Sequence, residues 1–201
     1  VRRAGALAVI GALSLALVAC VTGPEGSAAP EADTSQVGPA PGRTIAATAP
    51  SVGTLAGYRI AVVVPDDSSA SLALLQAARD FASSTGAELS EFPADASGDD
   101  PVGAALAAAV DSDADVVVGL GEGTVPVFDF ETGKILEQEI LVVGGQLAEP
   151  TENVTAVIWT GATSREPGDD ASVTVERGTD ALGAGIASIR DGISGVVLDL
   201  G

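Results

Sequence analysis

The sequence predicts an α/β fold: one doubly wound, mostly parallel sheet with flavodoxin-like strand order. Three observations carry this expectation. Continuous apolar runs rich in β-branched residues recur along the chain, as in "YRIAVVVP" (Tyr58–Pro65) and "ADVVVGLG" (Ala114–Gly121). Runs without polar alternation suit strands buried on both faces. Segments with helical apolar spacing separate them, and crossovers of that kind join parallel neighbours and place helices on both sides of the sheet.

Each element has its own signal. Tyr58–Pro65 reads as the first buried strand. "SLALLQAARDFAS" follows, with Leu72, Leu75, Ala78 and Phe81 at helical spacing and Ser69 or Ser71 as the cap. Ala87–Pro93 alternates and is short, which suits a strand near the edge. "DPVGAALAAAVDS" is an Ala-rich helix with Asp100 as its cap and Pro101 in its first turn. Ala114–Gly121 is the next buried strand, and a short helix is expected between Val125 and Gln138. Glu139–Gly145 and Asn153–Thr160 read as strands. The polar loop "GATSREPGDD" leads to a helix near Val173–Arg190, with Val175, Leu182, Ile186 and Ile189 on one face. "GVVLDLG" is the last strand.

The first twenty residues read differently. Arg2 and Arg3 precede an uncharged apolar run from Ala4 to Val18. That run is short and rich in small residues, the form of a secretory signal rather than a membrane span. It ends in Leu17-Val18-Ala19-Cys20, which resembles the lipobox of bacterial lipoproteins. The resemblance implies that Cys20 is acylated and becomes the mature N-terminus, on the extracytoplasmic face of the cell membrane. Cys20 is the only cysteine, so no disulfide can form within the chain. Val21–Gly57 is rich in Pro, Gly, Ser and Ala, buries too little to fold, and is expected to be a flexible tether. The folded domain is expected over residues 58–201.

Composition narrows the chemistry. The chain carries 28 Asp and Glu against 9 Lys and Arg, a formal net charge of −19. Such a surface repels phosphate backbones, so nucleic acid is not an expected partner. There is no histidine, the commonest general base and metal ligand. A hydrolase triad of the usual kind is excluded, and no catalytic residue, metal or cofactor is assigned.

In an open parallel sheet, ligands bind beyond the carboxyl ends of the strands. There this sequence places Pro65 to Ser69, then Gly119, Gly121, Glu122, Gly123 and Thr124, then Gly144 to Gln146, then Trp159, Thr160, Gly161 and Thr163. "GLGEG" lacks the G-x-G-x-x-G spacing of a dinucleotide site, and its Glu122 would face the pyrophosphate. No phosphate-binding loop motif occurs, and Lys134 is the only lysine. Asp66-Asp67 has no third spaced carboxylate and reads as an acidic pair ahead of a helix rather than a metal site. A lone strand tryptophan such as Trp159 is more often core than a stacking platform.

The order of "YRIAVVVP", "SLALLQAARDFASSTGAELSEFP", "DADVVVGLGEG", "EILVVGG" and "ENVTAVIW" resembles the first lobe of the type 1 periplasmic-binding-protein fold. More narrowly, it resembles the basic membrane protein family, the nucleoside-binding lipoproteins of ABC importers. "LGAG" at Leu182–Gly185 stands where that family's chain leads into its second lobe. The resemblance implies a non-enzymatic solute-binding-like lipoprotein, a small polar ligand such as a nucleoside, and an ABC permease as partner. It places Asp66 and the turn Gly119, Gly121, Glu122 against the ligand. The sequence stops about where a second lobe is expected. That leaves an alternative: a single-lobe interaction module that binds no small ligand and self-associates as a homodimer to rebuild the missing half.

Overall fold

The computed structural model describes residues 41–201. The expected signal segment, Cys20 and the expected tether up to residue 40 lie outside the described residues.

Seven strands form one sheet: β1 (Arg43–Ala46), β2 (Arg59–Val64), β3 (Glu88–Pro93), β4 (Val116–Leu120), β5 (Ile140–Val143), β6 (Val154–Ile158) and β7 (Val196–Asp199). Their spatial order is β1-β7-β6-β5-β4-β2-β3, and all six pairings are parallel. Leaving out β1, this is the flavodoxin-like order the sequence predicts. Four helices cross between strands: α1 (Ser69–Thr85), α2 (Pro101–Val110), α3 (Val125–Glu131) and α4 (Val175–Arg190).

The alternation of side chains along each strand divides the core in two. Ile60, Val62 and Val64 of β2 face α1 and α4, together with Val118, Leu141, Val143 and Val157. Ala61 and Val63 face α2 and α3, together with Val117, Val142 and Ala156, and Phe128 of α3 packs in the same cluster. Helices therefore cover both faces, which is why the central strands carry no polar alternation. Trp159 is fully buried on the α1/α4 side, as the core reading expects.

Local signals set the helix ends. Ser68 is the N-cap of α1: its Oγ accepts from Ser71 N at 3.2 Å, so the helix starts earlier than caps at Ser69 or Ser71 predict. Gly86 ends α1 in the left-handed conformation, φ 77°, and donates to Ala82 O. Asp100 caps α2, with Pro101 in the first turn, as expected. Thr174 caps α4 through its Oγ. Leu72 departs from the expected buried face of α1 and is 50% exposed; Leu75, Ala78 and Phe81 are buried as expected, and Leu74 and Ala77 join them.

Part of the span up to Gly57 that the sequence reading gives to a tether belongs to the folded domain. Arg43–Ala46 pairs with Val196–Asp199 as an edge strand, and Leu55 is buried, with its N–H donating to Thr85 O at 2.8 Å. Without this segment, β7 would leave a row of unpaired backbone groups, and the short "RTIA" run satisfies them. β7 consequently offers no free edge through which a second copy could extend the sheet.

Candidate functional site

The strand order reverses between β2 and β4. From β2 the chain moves outward through α1 to β3; from β4 onward it moves in the other direction. At such a switch point the loops diverge and leave a crevice outside the carboxyl ends. A cleft of about 330 Å³ opens there, between the exit of β2, the exit of β4 and the loop after β6. Two hollows, of about 380 and 450 Å³, lie beside α2, away from the switch point.

Three of the four ligand-facing residues predicted from sequence line this cleft: Asp66, Gly121 and Glu122. Asp66 follows β2 and accepts from Ser68 N at 3.0 Å, an Asx turn that holds the carboxylate in front of α1. Hydrogen bonding from Ser68, opposed by partial burial and aided by Ser71, holds its carboxyl below the usual range. Gly121 has φ 77°, a conformation costly for a side chain, and turns the chain from β4 into the 3-10 turn Glu122–Thr124. Its N–H is already engaged by Val143 O at 2.8 Å, which fixes the turn to β5. Gly123 permits the turn to approach β2: a Cβ there would sit 2.9 Å from Pro65 Cβ and 3.4 Å from Asp66 Oδ2.

Gly119 is a correction. It is buried inside β4 and faces the α2/α3 layer, where a Cβ would lie 2.8 Å from both Phe128 Cε1 and Thr124 Oγ1. Its missing side chain makes room for the aromatic ring under α3, not for a ligand.

The remaining lining divides into expected and unexpected residues. Ser68, Gly144 and Gly161 stand on the predicted rim. Ser71 and Leu74 come from the first turns of α1, and Ala162, Gly168, Asp170 and Val173 from the loop after β6. A helical serine capped by its neighbour and an irregular loop carry no periodic signal that would have pointed to them. Trp159, below this loop, donates from Nε1 to Ser172 O at 3.1 Å, so the indole supports the wall instead of stacking in the cleft.

The cleft wall carries three carboxylates, from Asp66, Glu122 and Asp170, two hydroxyls, and no lysine or arginine. Ser68 Oγ donates to Ser71 Oγ at 3.1 Å, and both hydroxyls stand beside the Asp66 carboxylate. Among the described residues no group of three metal-binding side chains is close enough to hold an ion. The arrangement is suited to hydrogen-bonding a polar molecule.

No family model matches the chain. No curated protein matches it. One solved structure, described as an ABC transporter system solute-binding protein from Aeropyrum pernix K1, is similar over 52% of this chain and 29% of that chain, with 14% identity and a TM-score of 0.45.

Proposed function

We propose that the chain is a non-enzymatic, solute-binding-like lipoprotein of the basic membrane protein type. Its cleft at the β2/β4 switch point would take a small polar ligand such as a nucleoside, for delivery to an ABC permease. The supporting observation is the coincidence of position and lining. The reversal of strand order between β2 and β4, the Asp66 turn and the Gly121–Glu122 turn meet at one cleft of about 330 Å³. A cavity of that size holds a small molecule. The ligand's hydroxyl and amine donors would meet the carboxylates of Asp66, Glu122 and Asp170.

The anchor is part of the same proposal. Cys20 would carry the lipid, and residues between it and Arg43 would hold the domain off the extracytoplasmic face of the membrane. Calorimetric titration with a panel of nucleosides, sugars and amino acids tests the binding claim. Saturable heat with one of them, lost in Glu122→Gln, supports it; silence across the panel overturns it. Cys20→Ser should release the protein from membranes, and continued retention without acyl mass would remove the anchor.

A further inference from the structure

The wall of the cleft contributed by the loop after β6 is built unlike the rest of the domain. Between Ile158 and Val175 the chain has no regular structure beyond an isolated bridge between Trp159 and Ala162 and one 3-10 turn, Asp170–Ser172. In that stretch only Trp159 and Ala162 are buried apolar residues. Two hydroxyls in it, Ser164 Oγ and Ser172 Oγ, are buried and without a hydrogen-bond partner. Ser164 also holds φ 56°, one of two positive values outside glycine among the described residues. Its Oγ is wedged against Gly145, 2.9 Å from where a Cβ would stand. A buried hydroxyl left unpaired loses the hydrogen bonds that water would give it. A non-glycine residue held at positive φ adds strain. The seated loop is thus destabilised at two points that exposure would relieve.

Few groups oppose that tendency. Arg165 Nη2 donates to Leu147 O at 2.8 Å and to Ala148 O at 3.4 Å, tying the crest of the loop to the segment after β5. Thr163 Oγ1 accepts from Arg165 N and Glu166 N at 3.0 and 3.2 Å, which shapes the crest but ties it to nothing outside. At the base, Gly161 (φ 87°) accepts from Asp169 N at 2.8 Å, and Trp159 Nε1 holds Ser172.

We propose that residues 160–173 form a lid on the cleft, latched by Arg165, which opens by local unfolding of this segment, with loss of its internal hydrogen bonds, while the sheet stays folded. The cleft's role for the lid rests on the solute-binding reading: Gly161, Ala162, Gly168, Asp170 and Val173 would leave the wall on opening and restore it on closure. Segments with few buried apolar contacts and exposed backbone open in this way below the global unfolding free energy.

Amide hydrogen exchange on the full chain without ligand tests this. The reporters are the hydrogen-bonded amides of Ala162, Asp169, Ser172 and Val173, with those of Val117 and Gly144 as the sheet reference. The lid amides should exchange well ahead of the reference, at rates unaffected by low denaturant. Arg165→Ala should speed them by about fivefold, and Ser164→Gly with Ser172→Ala, which removes both unpaired hydroxyls, should slow them by about tenfold. The reference amides should not move in either variant, which also reports intact folding. Lid amides that exchange together with the sheet, or that ignore both variants, overturn the proposal. A panel titration that stays silent while the lid amides behave as stated removes the solute-binding reading and leaves the local opening standing.

Discussion

Replacing Gly119 by Ala separates the two roles that a glycine after a strand can play. If Gly119 serves packing, the added methyl has nowhere to go. Its Cβ would stand 2.8 Å from Phe128 Cε1, 3.0 Å from Phe128 Cζ and 2.8 Å from Thr124 Oγ1. The ring is fully buried, and Thr124 Oγ1 is fixed by its bond to Gly121 O at 2.9 Å, so neither neighbour is a free chain end. Overpacking of this kind costs about 1–3 kcal/mol. Removing a strand glycine returns roughly 0.5–1 kcal/mol of backbone entropy. The net expectation is a loss of about 1–2 kcal/mol, which for a domain of this size lowers the melting temperature by about 2–8 °C. Trp159 is the only tryptophan and is buried, so its fluorescence follows urea unfolding without a label. Phe128→Leu, which withdraws the ring atoms facing Gly119, should recover part of the loss when combined with Gly119→Ala, giving a coupling energy above about 0.5 kcal/mol. An unchanged midpoint for Gly119→Ala, or additive effects in the pair, would show that the β4–α3 contact is not as tight as described.

Thr155 is fully buried in β6 and its Oγ1 has no partner, so Thr155→Val should raise stability by about 1 kcal/mol in the same urea assay, because it removes a desolvated hydroxyl. Ser68→Ala removes the N-cap of α1 and should cost about 1 kcal/mol, with the loss of helical signal visible by circular dichroism. Glu139 stands at the opposite rim of the sheet, with Oε2 unpaired and Ser194 Oγ 3.5 Å from Oε1. Burial raises its carboxyl above the usual range, outweighing the Ser194 hydrogen bond. A raised folded-state value means that this group favours the fold when protonated, below its unfolded value, and that the favour is lost as pH rises through the folded value. Glu139→Gln should therefore raise the urea midpoint at pH 7 to 8, and the advantage over the parent should shrink as pH falls towards 4.

Much of this architecture is legible in the sequence, for a physical reason. Central parallel strands are covered on both faces, so "VVV" at Val116–Val118 and "ILVV" at Ile140–Val143 have no polar partner to blur them. β1 is not legible by that route: Arg43 and Thr44 are exposed, the run is four residues long, and it becomes a strand only because β7 presents an open edge. The same distinction runs through the cleft. Asp66, Gly121 and Glu122 could be placed because the residue after a parallel strand must stand on the carboxyl rim, wherever the strand lies. Gly119 could have been excluded by parity. It lies two residues from Val117, on the face that carries Phe128, and a residue still inside a strand projects across the sheet rather than along it. Asp170 and Val173 could not have been found at all, since an irregular loop has no period and its landing point depends on which strand follows β6 in space. The residues that sequence reading supplies thus fix where the cleft is. Those it misses form the wall opposite, and that wall is fastened at few points: by Arg165 at its crest, and by the Trp159 indole and the Gly161 carbonyl at its base.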